Sequence, residues 1–474
     1  MLQNISICWF RQDLRIQDNP ALSAAIQQGK VLAIYILDDD NAAEAAMGAA
    51  SRWWLHHSLQ SLNQSLQGKL NIYKGDAKTI IAELTQRFAV QEMHWNRCYE
   101  PWRIHRDTAI KKQLSTDGFI AKSHSGALLH EPWAVHKKDG THYQVFTPYY
   151  KTLNTLAEPN SPLEIHSTTL YSAFLRDQNS VSIDQLELLP TVKWDTGIAE
   201  VWQPGEAQAL MRLQQFLTNG IDNYKEGRDF PAKNSVSKLS PYLHFGELSA
   251  RQIWWALKEM PENENTEHFR RELCWREFSY YLLFHLPHLP IQNLRPAFDD
   301  FAWEANTSLL KKWQQGKTGY PIVDAGMREL WQTGYMHNRV RMICASFLVK
   351  NLLIDWRHGA EWFWNCLVDA DLANNSASWQ WVAGCGADAA PYFRIFNPTT
   401  QAEKFDPLGD YIKTFLPELE KLPIKYLFTP SEAPTSVLKQ AGILLGQDYP
   451  SPIVDLKISR QKALDAYAQI KKSS

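Results

Sequence analysis

Short, nearly continuous apolar runs alternate with helical periodicity through the first 130 residues of the chain. The runs are ISICWF (5–10), VLAIYILD (31–38), LNIYKG (70–75) and EMHWNR (92–97), and amphipathic segments such as SRWWLHHSLQSLNQSL lie between them. Strands that are apolar on both faces and are separated by helices form parallel sheets covered on both sides. The sequence therefore predicts an α/β domain with a doubly wound parallel sheet over residues 1–130.

The pattern changes twice after this domain. Residues 131–205 are polar, contain several prolines and show few periodic segments, which predicts a long connector. From residue 206 onward, long amphipathic segments such as HFRRELCWREFSYYLLFHL are separated by turns that contain Pro or Gly. This part predicts an all-α domain over residues 206–474.

Several classes of protein are excluded by what the sequence lacks. No G-x-G-x-x-G follows the first strand and no G-x-x-x-x-G-K-[ST] occurs, so the usual dinucleotide and triphosphate loops are not predicted. No apolar run approaches the roughly 20 residues of a membrane span, and the N-terminus does not resemble a signal peptide. The six cysteines have no C-x-x-C spacing, which predicts reduced thiols in a cytoplasmic protein.

The net charge of −2 does not favour nucleic acid, so a DNA-binding interpretation requires a local basic patch. The nineteen tryptophans are an unusual number, and they concentrate in the second half of the chain. Packing of a large helical core explains most of them. The remaining tryptophans require a different explanation.

Three groups of polar residues in the helical half are candidates for a binding site. Glu272 and Trp275 lie one helical turn apart and either hold a flat heterocycle or are a surface acid beside a core tryptophan. The segment SVSKLS is either a phosphate-binding loop or a capped turn. Asp369 and Asp371 lie in an apolar region and should be paired, but no His or Cys joins them at ligand spacing, so no metal site is predicted.

Eight motifs of the chain, taken in order, resemble those of the photolyase/cryptochrome family. They are FRQDLRIQDNPAL (10–22), LSPYLHFGELS, WREF, WQQGKTGYPIVDAGMREL, HNRVRM, NLLIDWR, DADLANNSASWQW and RIFNPTTQAEKFDP. The resemblance runs from residue 5 to beyond residue 410 and is closest to class I cyclobutane pyrimidine dimer photolyases. It implies a light-driven DNA repair enzyme, a deoxyribodipyrimidine photo-lyase, with FAD in the helical domain.

The resemblance assigns the FAD site to residues of the helical domain. The residues implied to contact the cofactor are Tyr224, Ser237, Leu239, Ser240, Arg276, Asn338, Arg341, Asp369, Asp371 and Asn375. Asparagine at position 375 is typical of members that use the fully reduced, anionic flavin, whereas plant cryptochromes carry aspartate. Val236 stands where the family usually has threonine, so one phosphate hydrogen bond is either lost or provided by Ser235.

The resemblance also implies residues for repair, electron transfer and DNA binding. The lesion pocket is expected to contain Glu272, Trp275, Asn338, Met342 and Trp381, and the electron chain to contain Trp303, Trp356 and Trp379. Arg339, Arg394 and Lys404 are candidate contacts to DNA phosphates, with a solvated charged face as the alternative. In the implied reaction, excited FADH⁻ passes an electron to a flipped-out cyclobutane dimer, the ring splits and the electron returns.

The antenna and the exact activity stay open at this stage. The resemblance implies that the N-terminal domain often holds a second chromophore, such as methenyltetrahydrofolate or a deazaflavin. Trp102 and Arg103 stand where folate-binding members often carry Asn-Glu, which disfavours the folate. A deazaflavin, another flavin and no antenna stay open. The alternative functions are a cryptochrome-type photoreceptor without repair activity and a photolyase for (6-4) photoproducts. Met342 favours cyclobutane dimers, since (6-4) enzymes carry histidine in this motif. The expected partner is UV-damaged DNA, and we expect a monomer that needs no protein partner and no membrane.

Overall fold

The computed structural model describes residues 4–165, 173–389 and 393–472. The chain forms two compact units. The first comprises Met1–Asp222, Ser237–Pro287 and Val368–Ala373, and the second comprises Asn223–Val236, His288–Leu367 and Asn374–Ser474. The boundaries 1–130, 131–205 and 206–474 stay a prediction.

The first unit contains a parallel five-stranded sheet. Its strands are β1 (Ile5–Phe10), β2 (Lys30–Leu37), β3 (Asn71–Lys74), β4 (Val90–Asn96) and β5 (Ile120–His124). Their spatial order is β3-β2-β1-β4-β5, with all neighbours parallel. The chain therefore winds outward from β1 in both directions, and the predicted doubly wound sheet is confirmed.

Helices account for most of the remaining described chain. In chain order they are α1 (Pro20–Gln27), α2 (Asp39–Ala42), α3 (Ala49–Ser65), α4 (Ala77–Arg87), α5 (Pro101–Thr116), α6 (Phe146–Leu153), α7 (Thr196–Val201), α8 (Glu206–Asn219), α9 (Tyr224–Gly227), α10 (Ser240–His244), α11 (Ala250–Lys258), α12 (Glu264–His285), α13 (Thr307–Gln314), α14 (Pro321–Thr333), α15 (Asn338–Ser346), α16 (Trp356–Cys366), α17 (Leu372–Ala383), α18 (Pro398–Phe405), α19 (Asp410–Phe415), α20 (Ile424–Leu427), α21 (Thr435–Ala441) and α22 (Leu456–Lys472). A π-helical turn, Phe347–Asn351, follows α15. The described part of the chain after residue 206 contains helices and no named strand, which confirms the all-α prediction.

The N-terminal strands are continuous apolar runs because they lie in the buried core of the sheet. Ile7, Trp9 and Leu32 on the central strands are fully buried. Apolar positions of α4 and α5, such as Leu84 and Ile110, belong to the same cluster. A strand in this position has no solvent-facing side, so polar residues do not alternate along it.

The motif FRQDLRIQDNPAL is held by buried charges in the first unit. Asp18 is fully buried in a left-handed conformation with φ of 52°. Its carboxylate accepts hydrogen bonds from Ser249 Oγ at 2.5 Å and from Leu163 N at 3.0 Å, and Arg251 Nη2 lies 2.8 Å from it. Arg15 donates to the carbonyl oxygens of Gly246, Gly126 and Asp18 at 2.7–2.8 Å. The motif therefore connects the first β–α turn to the start of α11.

A single carboxylate organises the motif GKTGYP in the second unit. Asp324 accepts hydrogen bonds from Thr318 N and Oγ1, from Gly319 N and from Tyr449 OH at 2.6–2.9 Å. Gly319 has φ of 79°, and a Cβ there would meet the backbone of Ser451 at 2.5 Å. The residues of GKTGYP therefore form a tight loop at the start of α14, which requires a glycine at position 319.

Breaking the Asp18 network should destabilise the protein strongly. We expect Asp18→Ala to lower the free energy of unfolding by about 3–5 kcal/mol, because it leaves the guanidinium of Arg251 buried without its partner. The control, Glu158→Ala, removes an exposed pair with Lys258 and should leave stability close to that of the wild type. Denaturant titration measures both, and equal stability of the two variants would contradict the role given to Asp18.

Candidate functional site

The loop 237–240 in the first unit bends sharply before α10. Lys238 is left-handed, with φ of 52°, and Ser237 Oγ accepts a hydrogen bond from Leu239 N at 3.4 Å. Ser240 Oγ donates to the Asp369 carboxylate at 2.6 Å. The structure therefore brings together four predicted cofactor residues, two of which offer hydroxyl groups.

Asp371 is a second buried carboxylate of the first unit. It accepts a short hydrogen bond from Tyr280 OH, and His244 Nδ1 lies 3.4 Å away. Burial alone would raise the pKa of Asp371, but the hydrogen bond and charge of His244 and the charge of Arg276 lower it to about 2. Asp371 is therefore an ionised acceptor at neutral pH. Arg276 lies over the Tyr280 ring at 4.8 Å.

Sequence reasoning missed two residues of this group, Tyr280 and His244. Both lie in or next to recognised motifs, Tyr280 at five positions after Trp275 and His244 in LSPYLHFGELS. The available signal was the apolar region around Asp371, which requires polar partners for its carboxylate. The sequence does not show which distant residues provide them.

Helix α12 presents the two predicted lesion residues of the first unit. A capping box starts this helix, because Asn263 Oδ1 accepts from Thr266 N and Thr266 Oγ1 accepts from Asn263 N. Trp275 is half-buried and stacks on the buried Phe146 of α6, with ring centroids 3.7 Å apart and planes inclined by 9°. Glu272, one turn earlier, has a side chain 29% exposed. An aromatic platform therefore lies beside an accessible carboxylate.

The second unit contains the other predicted cofactor residues. Arg341 Nε donates to the carbonyl oxygen of Met336 at 2.7 Å, and Asn375 Nδ2 donates to that of Ala360 at 3.0 Å. These bonds fix the orientation of both side chains. Tyr224 is buried, and Asn338 is exposed at the first position of α15.

The predicted DNA contacts differ in how far their charges are available. Arg339 donates to the Asp229 carboxylate at 2.7 Å, so its charge is largely paired, and its Nη1 lies 3.9 Å from Met342 Sδ. Arg394 lies over Trp381, with 5.9 Å between Cζ and the ring centroid, and both line one small cavity. Lys404 lies over the Phe405 ring at 5.1 Å.

The three predicted electron-transfer tryptophans lie in the second unit. Trp379 packs on Gly359, one turn after Trp356 in α16, where any Cβ would overlap the indole ring. Glu304 N donates to Leu353 O at 2.7 Å, which brings the segment of Trp303 to the chain just before Trp356. Trp356 is fully buried and Trp303 is half-buried. Trp379 and Trp356 are therefore interior residues, Trp303 is the most exposed of the three, and their role in electron transfer stays a prediction.

His337 is a buried residue of the motif HNRVRM that sequence reasoning did not single out. Its Nδ1 accepts a hydrogen bond from Arg339 N at 3.2 Å and caps α15. Its Nε2 is buried and has no hydrogen-bond partner within the described ranges. Burial, with the charges of Arg341 and Arg339, lowers the pKa of His337 to about 3, although Asp229 opposes this effect.

The first unit also contains a polar cavity at the carboxyl ends of β1 and β2. Arg106 lies over the rings of Trp9 and Trp102 at 4.6 and 4.9 Å. The cavity is lined by Arg11, Tyr35, Ile36, Leu37, Asp38, Asp39, Ala42, Ala45, Met47, Trp102, Arg103 and Arg106. Ligands of doubly wound sheets bind at this edge, where the strand order reverses.

The described part of the chain contains neither a candidate metal site nor a candidate membrane span. No group of three or more His, Cys, Asp or Glu side chains could hold a metal ion there. No helix in the described ranges is both long enough and apolar enough to cross a membrane. The six cysteines are buried and form no disulfide.

Comparison with known proteins identifies the family. Residues 6–165 match DNA photolyase, and residues 269–469 match the FAD binding domain of DNA photolyase. The chain belongs to the photolyase/cryptochrome family. This confirms the resemblance that the motifs predicted.

The relatives of this photolyase-family chain match it over almost its whole length. It is 47% identical to deoxyribodipyrimidine photo-lyase of Agrobacterium fabrum, over 99% of this chain and 98% of the relative. It is 36% identical to cryptochrome-2 of Arabidopsis thaliana, over 99% of this chain and 79% of the relative. The structure of a bacterial class III photolyase from Agrobacterium tumefaciens matches with a TM-score of 0.94 and 46% identity, covering 100% of this chain and 98% of that chain. The class I assignment is not confirmed, because this relative belongs to class III.

In each unit taken by itself, the predicted residues offer groups that fit the FAD bound by the matched domain. FAD offers phosphate oxygens, ribityl hydroxyls and a ring with N–H and carbonyl groups. The first unit supplies the hydroxyls of Ser237 and Ser240 and the ionised carboxylate of Asp371. The second unit, considered separately, supplies the fixed donors of Arg341 and Asn375.

The pKa of His337 generates a prediction about stability at acid pH. Between pH 6.5 and about 4, the unfolded chain binds a proton on this residue that the folded chain does not bind. The free energy of unfolding should therefore fall as pH falls, by up to about 1.4 kcal/mol per pH unit from this group. In His337→Asn, which keeps a capping side chain, the fall should be shallower by that amount. Denaturant titrations from pH 7 to 4 measure it, and parallel curves for both proteins would contradict the prediction.

Proposed function

We propose that the protein repairs cyclobutane pyrimidine dimers in DNA in a light-dependent reaction. The observation that supports this best is the half-buried Trp275, held flat by Phe146, with the accessible carboxylate of Glu272 one turn away on the same helix. A flat apolar platform beside a carboxylate suits a pyrimidine pair that has lost its normal stacking and pairing. The 47% identical relative, which is a deoxyribodipyrimidine photo-lyase, supports the same reaction.

Each lesion residue has a distinct role in the proposal. Trp275, Trp381 and Met342 form apolar walls that receive the dimer and exclude water. Glu272 shares a proton with a pyrimidine carbonyl and stabilises the negative charge that develops there. Asn338, which is exposed at the start of α15, donates a hydrogen bond to the lesion.

The proposed cofactor residues hold and orient FAD. Reduced FAD, when bound, supplies the light-excited electron that opens the cyclobutane ring. Ser237, Leu239 and Ser240 bind its pyrophosphate and ribityl chain together with Tyr224. Arg276, Asn338, Arg341, Asp369, Asp371 and Asn375 surround the ring. Trp379, Trp356 and Trp303 pass an electron inward from the surface and keep the protein in its active, reduced form.

A second chromophore is proposed for the polar cavity of the first unit. The cavity combines the indole of Trp102 with the guanidinium groups of Arg11, Arg103 and Arg106 and the acids Asp38 and Asp39. This lining suits a flat aromatic antenna with hydroxyl groups and an anionic tail, either a deazaflavin or methenyltetrahydrofolate. Mass spectrometry of small molecules extracted from the purified protein identifies it.

Light-dependent loss of a thymine dimer tests the main proposal. We expect chemically reduced, FAD-loaded protein in anaerobic buffer to restore intact thymines in an oligonucleotide with one cyclobutane dimer, in blue light and not in darkness. Glu272→Ala should lower the yield and the affinity for the lesion while FAD content stays at the wild-type level. Chromatography of the digested oligonucleotide measures repair.

Two results would contradict parts of this proposal. Absence of repair by protein with bound, photoreducible flavin would overturn the cyclobutane substrate and favour a (6-4) lesion or the signalling role suggested by the cryptochrome relative. Loss of FAD from Glu272→Ala would make Glu272 a cofactor or folding residue rather than a lesion contact.

The tryptophan chain can be tested separately from repair. We expect Trp379→Phe to slow photoreduction of oxidised flavin at least tenfold, because phenylalanine is much harder to oxidise than tryptophan, while chemically reduced enzyme still repairs dimers. Trp313→Phe is the control, since this buried indole contacts the Trp379 ring but is not in the proposed chain. Flavin absorption under blue light measures the rate, and wild-type photoreduction in Trp379→Phe would show that the chain is wrong.

A further inference from the structure

We propose that Arg271 is a DNA-binding residue that contacts a backbone phosphate beside the lesion platform, and that Phe146 and Tyr150 position it. The proposal rests on the function proposed above and adds a residue to it. Arg271 lies on α12, four positions before Trp275, so both side chains project from one face of this helix.

Two stacked rings hold the Arg271 guanidinium. The rings of Phe146 and Tyr150 are 5.5 Å apart with planes inclined by 18°. Arg271 Cζ lies 5.2 Å from the Phe146 centroid and 5.4 Å from the Tyr150 centroid. A guanidinium held over aromatic rings is pre-organised and keeps its N–H donors for another partner.

The acid one turn before Arg271 on α12 is occupied by other partners. Glu267, one turn earlier on α12, accepts a hydrogen bond from Tyr150 OH at 2.6 Å and lies 3.6 Å from Arg270. Arg270 also faces Glu262 at 3.9 Å. Within the described residues, no carboxylate forms an ion pair with Arg271. This half-buried cation is therefore available to an anion that arrives with the substrate.

The same phenylalanine supports both the cation and the platform. Phe146 stacks on Trp275 at 3.7 Å and also lies under Arg271. A nucleotide whose base lies on Trp275 brings its own phosphates close to Arg271. The planar guanidinium of arginine can bind a phosphate through two parallel N–H···O hydrogen bonds. The geometry thus points to a phosphate next to the flipped-out pyrimidines.

Salt dependence of DNA binding separates this role from a structural one. The probe is a fluorescein-labelled duplex with one thymine dimer, titrated with FAD-loaded protein between 0.05 and 0.3 M KCl and followed by anisotropy. Loss of one phosphate contact reduces the slope of log affinity against log salt by about 0.9. We expect this reduction in Arg271→Gln, with affinity roughly five- to tenfold lower at 0.1 M salt for damaged and undamaged duplexes alike.

Neighbouring variants provide the controls. Arg270→Gln removes a cation that already has acidic partners and should keep the wild-type slope. Arg271→Lys keeps the charge but loses the planar stack, so it should keep the slope and recover part of the affinity. Flavin absorption and thermal melting should be those of the wild type in all three variants.

Three results would overturn the proposal. One is a wild-type slope in Arg271→Gln while the wild-type protein repairs the dimer, which rejects Arg271 and leaves the repair function intact. Another is an equal loss of slope in Arg270→Gln, which shows a general charge effect. The third is a wild-type protein that binds no dimer duplex, which rejects the repair function and this contact together.

Discussion

The buried charges around Asp18 hold the start of α11 in the first unit. A buried carboxylate or guanidinium is tolerated only when its hydrogen-bonding groups are satisfied, and removal of one partner is costly. Asp18 and Arg15 satisfy this condition only if Ser249, Arg251 and the Gly246 carbonyl stand where they do. Gly246 has φ of 66°, and a Cβ there would overlap the backbone of Gln12. This contact fixes the chain directly after α10, and with it the Ser237–Ser240 loop proposed for FAD. The N-terminal motif thus helps to position the loop that is proposed to bind FAD.

Helix α12 is also held by a buried charge, because the carboxylate of Glu277 binds backbone N–H groups of another segment. Glu277 accepts hydrogen bonds from the N–H groups of Leu129 and His130, and Arg276 donates to the carbonyl oxygen of Ala127. Burial raises the pKa of Glu277 to about 7, so these bonds offset an unfavourable environment for its charge. The polar residues that follow Trp275 therefore anchor the helix to the chain after β5. The orientation of Glu272 and Trp275, the residues proposed to meet the lesion, depends on this anchored part of the helix.

The sequence predicts those parts of the fold that local patterns encode. Four strands were recognised because each is apolar on both faces, whereas β5, IAKSH, was missed because it is only partly buried at the edge of the sheet. The cofactor residues were assigned from motifs, but the partners of Asp371 were not, because Tyr280 and His244 lie about 90 and 127 positions away. The clearest omission is Phe146. It lies in α6, within residues 131–205, where the sequence shows little periodicity. Its role is to stack on Trp275, a residue of a helix far away in the sequence, and no local pattern indicates this contact.

The same distinction explains why counts of charged residues do not locate a DNA contact. The net charge is −2, and the motif HNRVRM made Arg339 the natural choice among many cations. In the structure the Arg339 guanidinium is hydrogen-bonded to Asp229, so binding a phosphate there would require this ion pair to be shared or broken. No family motif points to Arg271, but Glu267, the acid one turn before it on α12, is hydrogen-bonded to Tyr150 and lies 3.6 Å from Arg270. An arginine that rests on aromatic rings has its position fixed without its charge being neutralised. Availability of charge is a property of the neighbours, and only the three-dimensional structure shows which neighbours a cation has.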